Sequence, residues 1–295
     1  MTSPRILLNR MHLQAKKQLG QNFLSDPSAA ERIVASAEID RSDTVLEIGP
    51  GLGALTFLIA ERAKHIIAIE KDRQIADMLK SMIAERQLPH VTIVENDILK
   101  TDVSEISEQA GKPLVVLGNL PYNISSQVLI QLIQHREAVS RAVLMFQKEL
   151  AERITSEPGG KDYGRITVML KYCADVRYVV TIESHQFFPK PKVDSAVVEI
   201  RFKNVLPFPA EDDAFFSRVV QAAFGKRRKT LKNALSSSSL RISSQIAEMA
   251  LNSASIDPAR RAETLSIAEF VALSNCLSKC ITHETPHSES GSDAA

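Results

Sequence analysis

The sequence predicts an α/β fold: a doubly wound, mostly parallel sheet followed by a small C-terminal all-helical domain. Three observations lead there. Short apolar runs alternate with longer amphipathic ones through the first half of the chain, at the spacing of right-handed strand–helix–strand crossovers. The short runs lack polar alternation, as strands covered on both faces do. After residues 204–210 (NVLPFPA), a linker with two prolines, only helical periodicity remains.

The elements follow in order. Asp26 and Pro27 read as an N-cap and a first helical residue, opening a helix to about residue 38. Residues 44–48 (TVLEI) read as a buried strand, 54–63 as a helix and 65–70 (HIIAIE) as a second strand. Residues 72–86 place Ile75, Met78, Leu79 and Ile83 on one helical face. Strands are predicted at 91–94, 114–117 and 142–146, with a helix at 124–134. Residues 178–182 and 195–202 read as two further strands closing the sheet in an antiparallel hairpin. Helices are predicted at 213–224, 229–235, 243–251 and 266–279. The chain thus divides into a basic N-terminal segment (1–25), a sheet domain (26–203), a helical domain (204–281) and a polar tail (282–295) expected to be disordered.

Composition narrows the function classes. With 44% apolar and 24% charged residues in 295, the chain has the balance of a globular protein with a sizeable core. No stretch approaches a membrane span, and residues 1–19 lack a secretory apolar core, so a cytoplasmic protein is expected. The three cysteines, Cys173, Cys276 and Cys280, give no disulfide framework. Cys276 and Cys280 with His283 and His287 do not have a zinc spacing, and no metal is expected. A net charge of +1 is uninformative, but its distribution is not: residues 214–241 hold seven basic and no acidic side chains, and residues 1–23 hold four and none. Such localised basic segments suggest a nucleic-acid patch.

Glu47-Ile-Gly-Pro-Gly-Leu-Gly53 follows the first strand of the sheet domain. Gly49, Gly51 and Gly53 allow a sharp turn and close approach of a ligand. The spacing is neither that of the dinucleotide fingerprint nor that of a phosphate loop, and residues 44–60 contain no Lys or Arg. A zwitterionic ligand without phosphates fits better than a nucleoside triphosphate. Taken alone the loop is a tight turn. Glu70, placed to accept ribose hydroxyls, and Asp97, placed to accept an adenine amino group, end the next two strands and favour a nucleoside lying across the sheet edge. S-adenosyl-L-methionine satisfies all three features.

Gly118-Asn-Leu-Pro-Tyr-Asn-Ile-Ser125 follows the fourth strand. An exocyclic adenine nitrogen is a poor nucleophile because its lone pair is delocalised into the ring. Acceptors on its two hydrogens, the Asn119 side-chain oxygen and the Leu120 carbonyl, favour the pyramidal nitrogen that attacks a methyl sulfonium. Pro121 contributes no N–H and stiffens the loop. Tyr122 can stack on an extruded base. In residues 187–194 (FFPKPKVD), Phe187 is a candidate second wall of the base pocket, and Lys190 and Lys192 are candidate phosphate contacts. Residues 224–233 (FGKRRKTLKN) gather Lys226, Arg227, Arg228, Lys229 and Lys232 at a helix start with no acid nearby in the sequence, suited to an RNA backbone.

Together with residues 18–24 (QLGQNFL), these motifs resemble the ribosomal RNA adenine N6-methyltransferase family, nearest its bacterial small-subunit dimethyladenosine branch, from about residue 10 to 280. The resemblance implies a Rossmann-like methyltransferase sheet with the N-terminal segment closing over the cofactor. It implies S-adenosyl-L-methionine contacts by Asn22, Leu24, Gly49, Glu70, Asp97 and Asn119, and NLPY as the catalytic motif. It further implies dimethylation of two adjacent adenosines in the 3′-terminal hairpin loop of 16S rRNA, on pre-formed small ribosomal subunits late in assembly. A monomer is expected. Large-subunit rRNA or DNA adenine methylation, or an assembly factor whose binding outweighs its catalysis, are the alternatives.

Overall fold

The computed structural model describes residues 3–226 and 228–283. Its contacts gather into two compact units, one of residues 1–155 with 173–204 and one of residues 156–172 with 205–295.

The first unit begins with α1 (Pro4–Arg10), β1 (Phe23–Leu24), α2 (Pro27–Ser36), β2 (Thr44–Ile48), α3 (Thr56–Ala60), β3 (His65–Glu70), α4 (Arg73–Glu85) and β4 (Val91–Glu95). It continues through α5 (Val103–Ala110), β5 (Leu114–Asn119), α6 (Ser125–Gln134), β6 (Val139–Gln147) and α7 (Lys148–Thr155). After the excursion into the second unit it resumes with β7 (Ala174–Ile182), β8 (Phe187–Phe188) and β9 (Ser195–Phe202). Seven strands form one sheet in the order β4-β3-β2-β5-β6-β9-β7. Strands β2 to β6 run parallel, and β9 runs antiparallel to both its neighbours. The expected hairpin therefore exists as a β7–β9 pair, with β9 inserted beside β6. Chain progression reverses between β2 and β5, and such a switch point opens a crevice at the carboxyl ends of its strands.

Local chemistry explains the boundaries. The Asp26 carboxylate accepts from the backbone N–H groups of Ser28 and Ala29 at 2.8 and 3.1 Å and starts α2. Asp72 does the same for α4 through Gln74 N–H at 3.2 Å. The apolar stripe Ile75, Met78, Leu79 and Ile83 is buried. Every residue of β2 is buried, as a central strand covered on both faces requires.

The structure adds and corrects elements. Helix α5, capped by Asp102 and ended by left-handed Gly111, has both signals in the sequence yet was not anticipated, nor were α1, α7 and the β1–β8 pair. Helix α3 is shorter than predicted because the turn begun at the glycine loop persists to Leu55. The sheet domain does not run unbroken from 26 to 203: residues 156–172 belong to the helical unit. Tyr163 there is buried beside Phe224, ring centroids 6.3 Å apart, and Tyr172 packs on Phe216 at 4.4 Å. The Tyr172 hydroxyl donates to Asp213 at 2.6 Å.

The second unit comprises α8 (Arg165–Cys173, whose last residue counts with the sheet), α9 (Asp213–Phe224), α10 (Leu231–Ser236), α11 (Ser244–Ser253) and α12 (Ile267–His283). Phe216, Leu235, Leu251 and Phe270 are fully buried in it. Helix α12 takes in two residues assigned to the tail. The remainder of the tail, 284–295, and Arg227 lie outside the described residues. Among the described residues no helix is long and apolar enough to cross a membrane.

Candidate active site

One pocket opens at the carboxyl ends of β2, β3 and β5, where the topology predicts a crevice. The glycine loop forms its floor. Gly49, Gly51 and Gly53 all have positive φ, at 65°, 55° and 83°, a backbone that side-chain-bearing residues rarely adopt. Their roles differ. Gly49 and Gly51 line the pocket, whereas Gly53 faces away from it, where a Cβ would stand 2.5 Å from the Phe57 ring.

Two buried carboxylates stand beside the loop. Glu70, at the end of β3, accepts from Gly51 N–H at 3.2 Å through Oε2 and from Asp72 N–H at 2.8 Å through Oε1. Burial raises its pKa despite these bonds. Glu47, at 1% exposure on β2, is a site residue beyond those the sequence motifs mark. Its Oε2 is buried with no hydrogen-bond partner, and burial pushes its carboxyl up to about 8. The sequence signal was an acid inside an otherwise apolar buried strand.

Asp97 follows β4 and is engaged at both oxygens. Oδ1 accepts from Leu99 N–H at 3.1 Å, and Oδ2 pairs with Lys71 Nζ at 2.8 Å. The Lys71 bond chiefly holds Asp97 below the usual carboxylate range. Lys71 is a second residue not foreseen.

The N-terminal strap crosses the pocket. Asp72 accepts from Lys16 Nζ at 2.7 Å and from Gln21 Nε2 at 2.9 Å, while Gln21 Oε1 accepts from Lys16 N–H at 2.8 Å. Phe23 and Leu24 then pair antiparallel with Phe188 and Phe187. Asn22 and Leu24 thereby reach the pocket lining.

The NLPY segment closes the fourth side, with Asn119, Leu120, Pro121 and Tyr122 all lining the pocket. Asn119 Nδ2 donates to the Asn22 carbonyl at 2.8 Å. A carbonyl can only accept, so this bond fixes the amide orientation and leaves Oδ1 as an acceptor. The Pro121 carbonyl accepts from Ile124 N–H and the Ser125 hydroxyl, both at 3.1 Å, turning the chain into α6. Phe187 is not brought to the pocket: at 4% exposure it packs in the hydrophobic core opposite Leu24.

The basic candidates lie elsewhere. Lys190 and Lys192 are exposed in the loop between β8 and β9, and Lys226, Arg228 and Lys229 are exposed in the turn between α9 and α10. The sequence placed these last three at a helix start, but α10 begins only at Leu231. Lys232 is paired with Glu248 of α11 at 2.6 Å, an acid the local sequence did not reveal.

A doubly wound sheet with a glycine loop at its switch point, acids at the following strand ends and an Asn-Leu-Pro-Tyr loop beside them defines a Rossmann-like methyltransferase. The chain matches the ribosomal RNA adenine dimethylase family over residues 12–279 and belongs to it. It is 49% identical to the ribosomal RNA small subunit methyltransferase A of Desulforapulum autotrophicum, covering 94% of this chain and 97% of that one. It is 41% identical to the protein of that name from Myxococcus xanthus, covering 94% and 96%. Among solved structures it is similar to a dimethyladenosine transferase from Plasmodium falciparum, with a TM-score of 0.74 and 28% identity over 85% of this chain and 95% of that one. It is also similar to the 23S rRNA methyltransferase ErmE, with a TM-score of 0.67 and 26% identity over 87% and 100%. The chain is therefore an rRNA adenine dimethyltransferase that takes its methyl group from S-adenosyl-L-methionine. The residues present fit that cofactor: the loop needs no phosphate counter-charge, and the buried Oε2 of Glu47, which lines the pocket, still lacks a hydrogen-bond partner.

Proposed function

We propose that this enzyme dimethylates N6 of two adjacent adenosines in the 3′-terminal hairpin loop of 16S rRNA, acting as a cytoplasmic monomer on pre-formed small ribosomal subunits late in assembly. The observation that carries the adenine chemistry is the fixed amide of Asn119, whose Oδ1 remains an acceptor beside the cofactor acids. The small-subunit substrate is supported by the names of relatives that are 49% and 41% identical. The likeness to ErmE favours a large-subunit reading only through the shared fold, at 26% identity.

In this reading Glu70 takes the ribose hydroxyls and Asp97 the adenine amino group of the cofactor. Asn22, Leu24, Gly49 and Gly51 shape its binding surface, and Gly53 holds the loop from behind. S-adenosyl-L-methionine supplies an electrophilic methyl group on a sulfonium. Asn119 Oδ1 and the Leu120 carbonyl accept from the two N6 hydrogens of the target, turning the lone pair toward the methyl carbon. Bound there, the cofactor would supply the methyl group to N6 and leave as the neutral thioether, and the N6 proton released would go to water. After the first transfer one N–H remains, so a single acceptor serves the second. Tyr122 stacks on the base, a contact worth about 1–3 kcal/mol. Catalysis is positioning and electrostatics, with no dedicated nucleophile. Lys190, Lys192, Lys226, Arg227, Arg228 and Lys229 engage the RNA backbone, and Lys232 contributes less because Glu248 already holds it.

The test is to incubate the protein with labelled S-adenosyl-L-methionine and small subunits that lack the modification, then digest the RNA. N6,N6-dimethyladenosine at the 3′-terminal hairpin, and none on large subunits or DNA, is the expected result. Product on large subunits alone overturns the substrate assignment and leaves the family chemistry standing.

A further inference from the structure

Tyr122 and Ser195 are 73 positions apart in sequence, yet their hydroxyl oxygens lie 2.9 Å apart. Ser195 is fully buried and opens β9. It pairs with Gln147 of β6 on one side and Ile182 of β7 on the other. The preceding residue is tied down as well: the Asp194 carbonyl accepts from Lys148 N–H at 3.0 Å, and its Oδ1 accepts from Ser184 N–H at 2.8 Å. Ser195 therefore stands on an unusually well-fixed piece of backbone. Tyr122, by contrast, sits in a loop, and its ring lines the pocket half-buried.

A stacking platform needs only a ring face, and phenylalanine would supply one. The phenol oxygen adds a second point of attachment. The backbone end of the side chain is held by the turn at Pro121, and the far tip is held by β9. Two-point attachment fixes the direction of the ring's long axis and the place of its tip, which a single χ1–χ2 pair in a loop does not.

We propose that Ser195 is a positioning residue for methyl transfer, holding the Tyr122 ring at the place that receives the target adenine. This rests on the reading of Tyr122 as the base platform. Neither hydroxyl exchanges protons with the substrate. Their bond acts by restricting the ring, so its loss slows the step that depends on base placement and leaves cofactor binding alone.

The experiment compares wild type, Ser195→Ala, Tyr122→Phe and the double variant. It measures the methyl-transfer rate at saturating cofactor and small subunits, and the cofactor Kd by calorimetry. Each single variant should lower the transfer rate about 3- to 10-fold, the scale of one neutral hydrogen bond. Cofactor Kd should stay within about 2-fold of wild type. The double variant should be no slower than the slower single, because both changes remove the same bond. Tyr122→Phe changes a loop residue and keeps β9 unaltered in sequence, so it carries the test should Ser195→Ala fail to fold. A wild-type rate in Tyr122→Phe overturns the proposal, as do losses in the two singles that multiply in the double. A rate loss matched by an equal loss of cofactor affinity overturns it too, since that marks general loosening. A wild type inactive on small subunits overturns the function reading on which this rests, whereas an active wild type with unaffected variants overturns the anchor alone.

Discussion

The strand-end pocket and the basic turn after α9 are built on different principles. In the pocket, polar atoms are held by specific partners: Glu70 by two backbone N–H groups, Asp97 by Leu99 and Lys71, and Asn119 by Asn22. In the turn, Lys226, Arg228 and Lys229 are exposed side chains on non-helical backbone. The first region pre-pays its ordering when the chain folds and acts through geometry. On the proposed function the second would act through charge density, tolerate substitution and respond to salt.

Asn119→Ala should sharpen that contrast most. It removes an acceptor aligned by folding and should cut the methyl-transfer rate about 100-fold or more, with small-subunit binding kept. A loss below about 5-fold in a transfer assay, on the scale of one ordinary hydrogen bond, would place the acceptor elsewhere. Gly53→Ala tests whether the loop is tensioned from outside the pocket. With φ at +83° and a Cβ 2.5 Å from the Phe57 ring, it should destabilise the fold by about 1–3 kcal/mol, read as a lowered Tm.

The turn should lose function by degrees. Replacing Arg228 and Lys229 with alanine should weaken small-subunit binding roughly uniformly across RNA sequences. It should also flatten the plot of log affinity against log salt by about 0.7–0.9 for each phosphate contact removed. An unchanged slope would mean these side chains do not meet the backbone.

Glu47 gives the effect most specific to the pocket. Its carboxyl rises from an ordinary 4.5 to about 8 through burial, so between these values the folded state holds a proton that the unfolded state has released. Its contribution to stability is therefore fully present below about pH 4.5 and is lost as pH rises toward 8. The Tm of the ligand-free protein should carry this downward component between pH 5 and 8, and Glu47→Gln should flatten it. A Glu47→Gln profile parallel to wild type would show that the carboxyl titrates normally.

Legibility in the sequence followed the range of the interactions. Strands β2 and β3, the cap at Asp26 and the glycine loop rest on neighbouring residues, and each was readable. The acids at successive strand ends were readable because topology brings such ends together. The missing parts depend on contacts distant in sequence. Lys16 and Gln21 meet Asp72 across 56 and 51 positions, and no local pattern marks that meeting. Phe187 looked like a pocket wall because aromatic, proline-rich loops often are, but pairing with Leu24 turns it into the core. Residues 156–172 open on Pro158, Gly159 and Gly160, a local break that marks a loop but not its destination, since Tyr163 and Tyr172 reveal their partners only in three dimensions. Helix α5 is the exception: Asp102 and Gly111 mark its ends locally, and it was legible but overlooked.

The two-residue ribbon of β1 and β8 ties two loops into one unit. Residues 23 and 24 cannot lift from the pocket while they remain paired with residues 188 and 187. One edge of the pocket and the lysine-bearing loop that follows Phe188 thereby share a single pair of backbone strands. A ligand on either side whose affinity depended on that pairing would change the affinity on the other by the same factor.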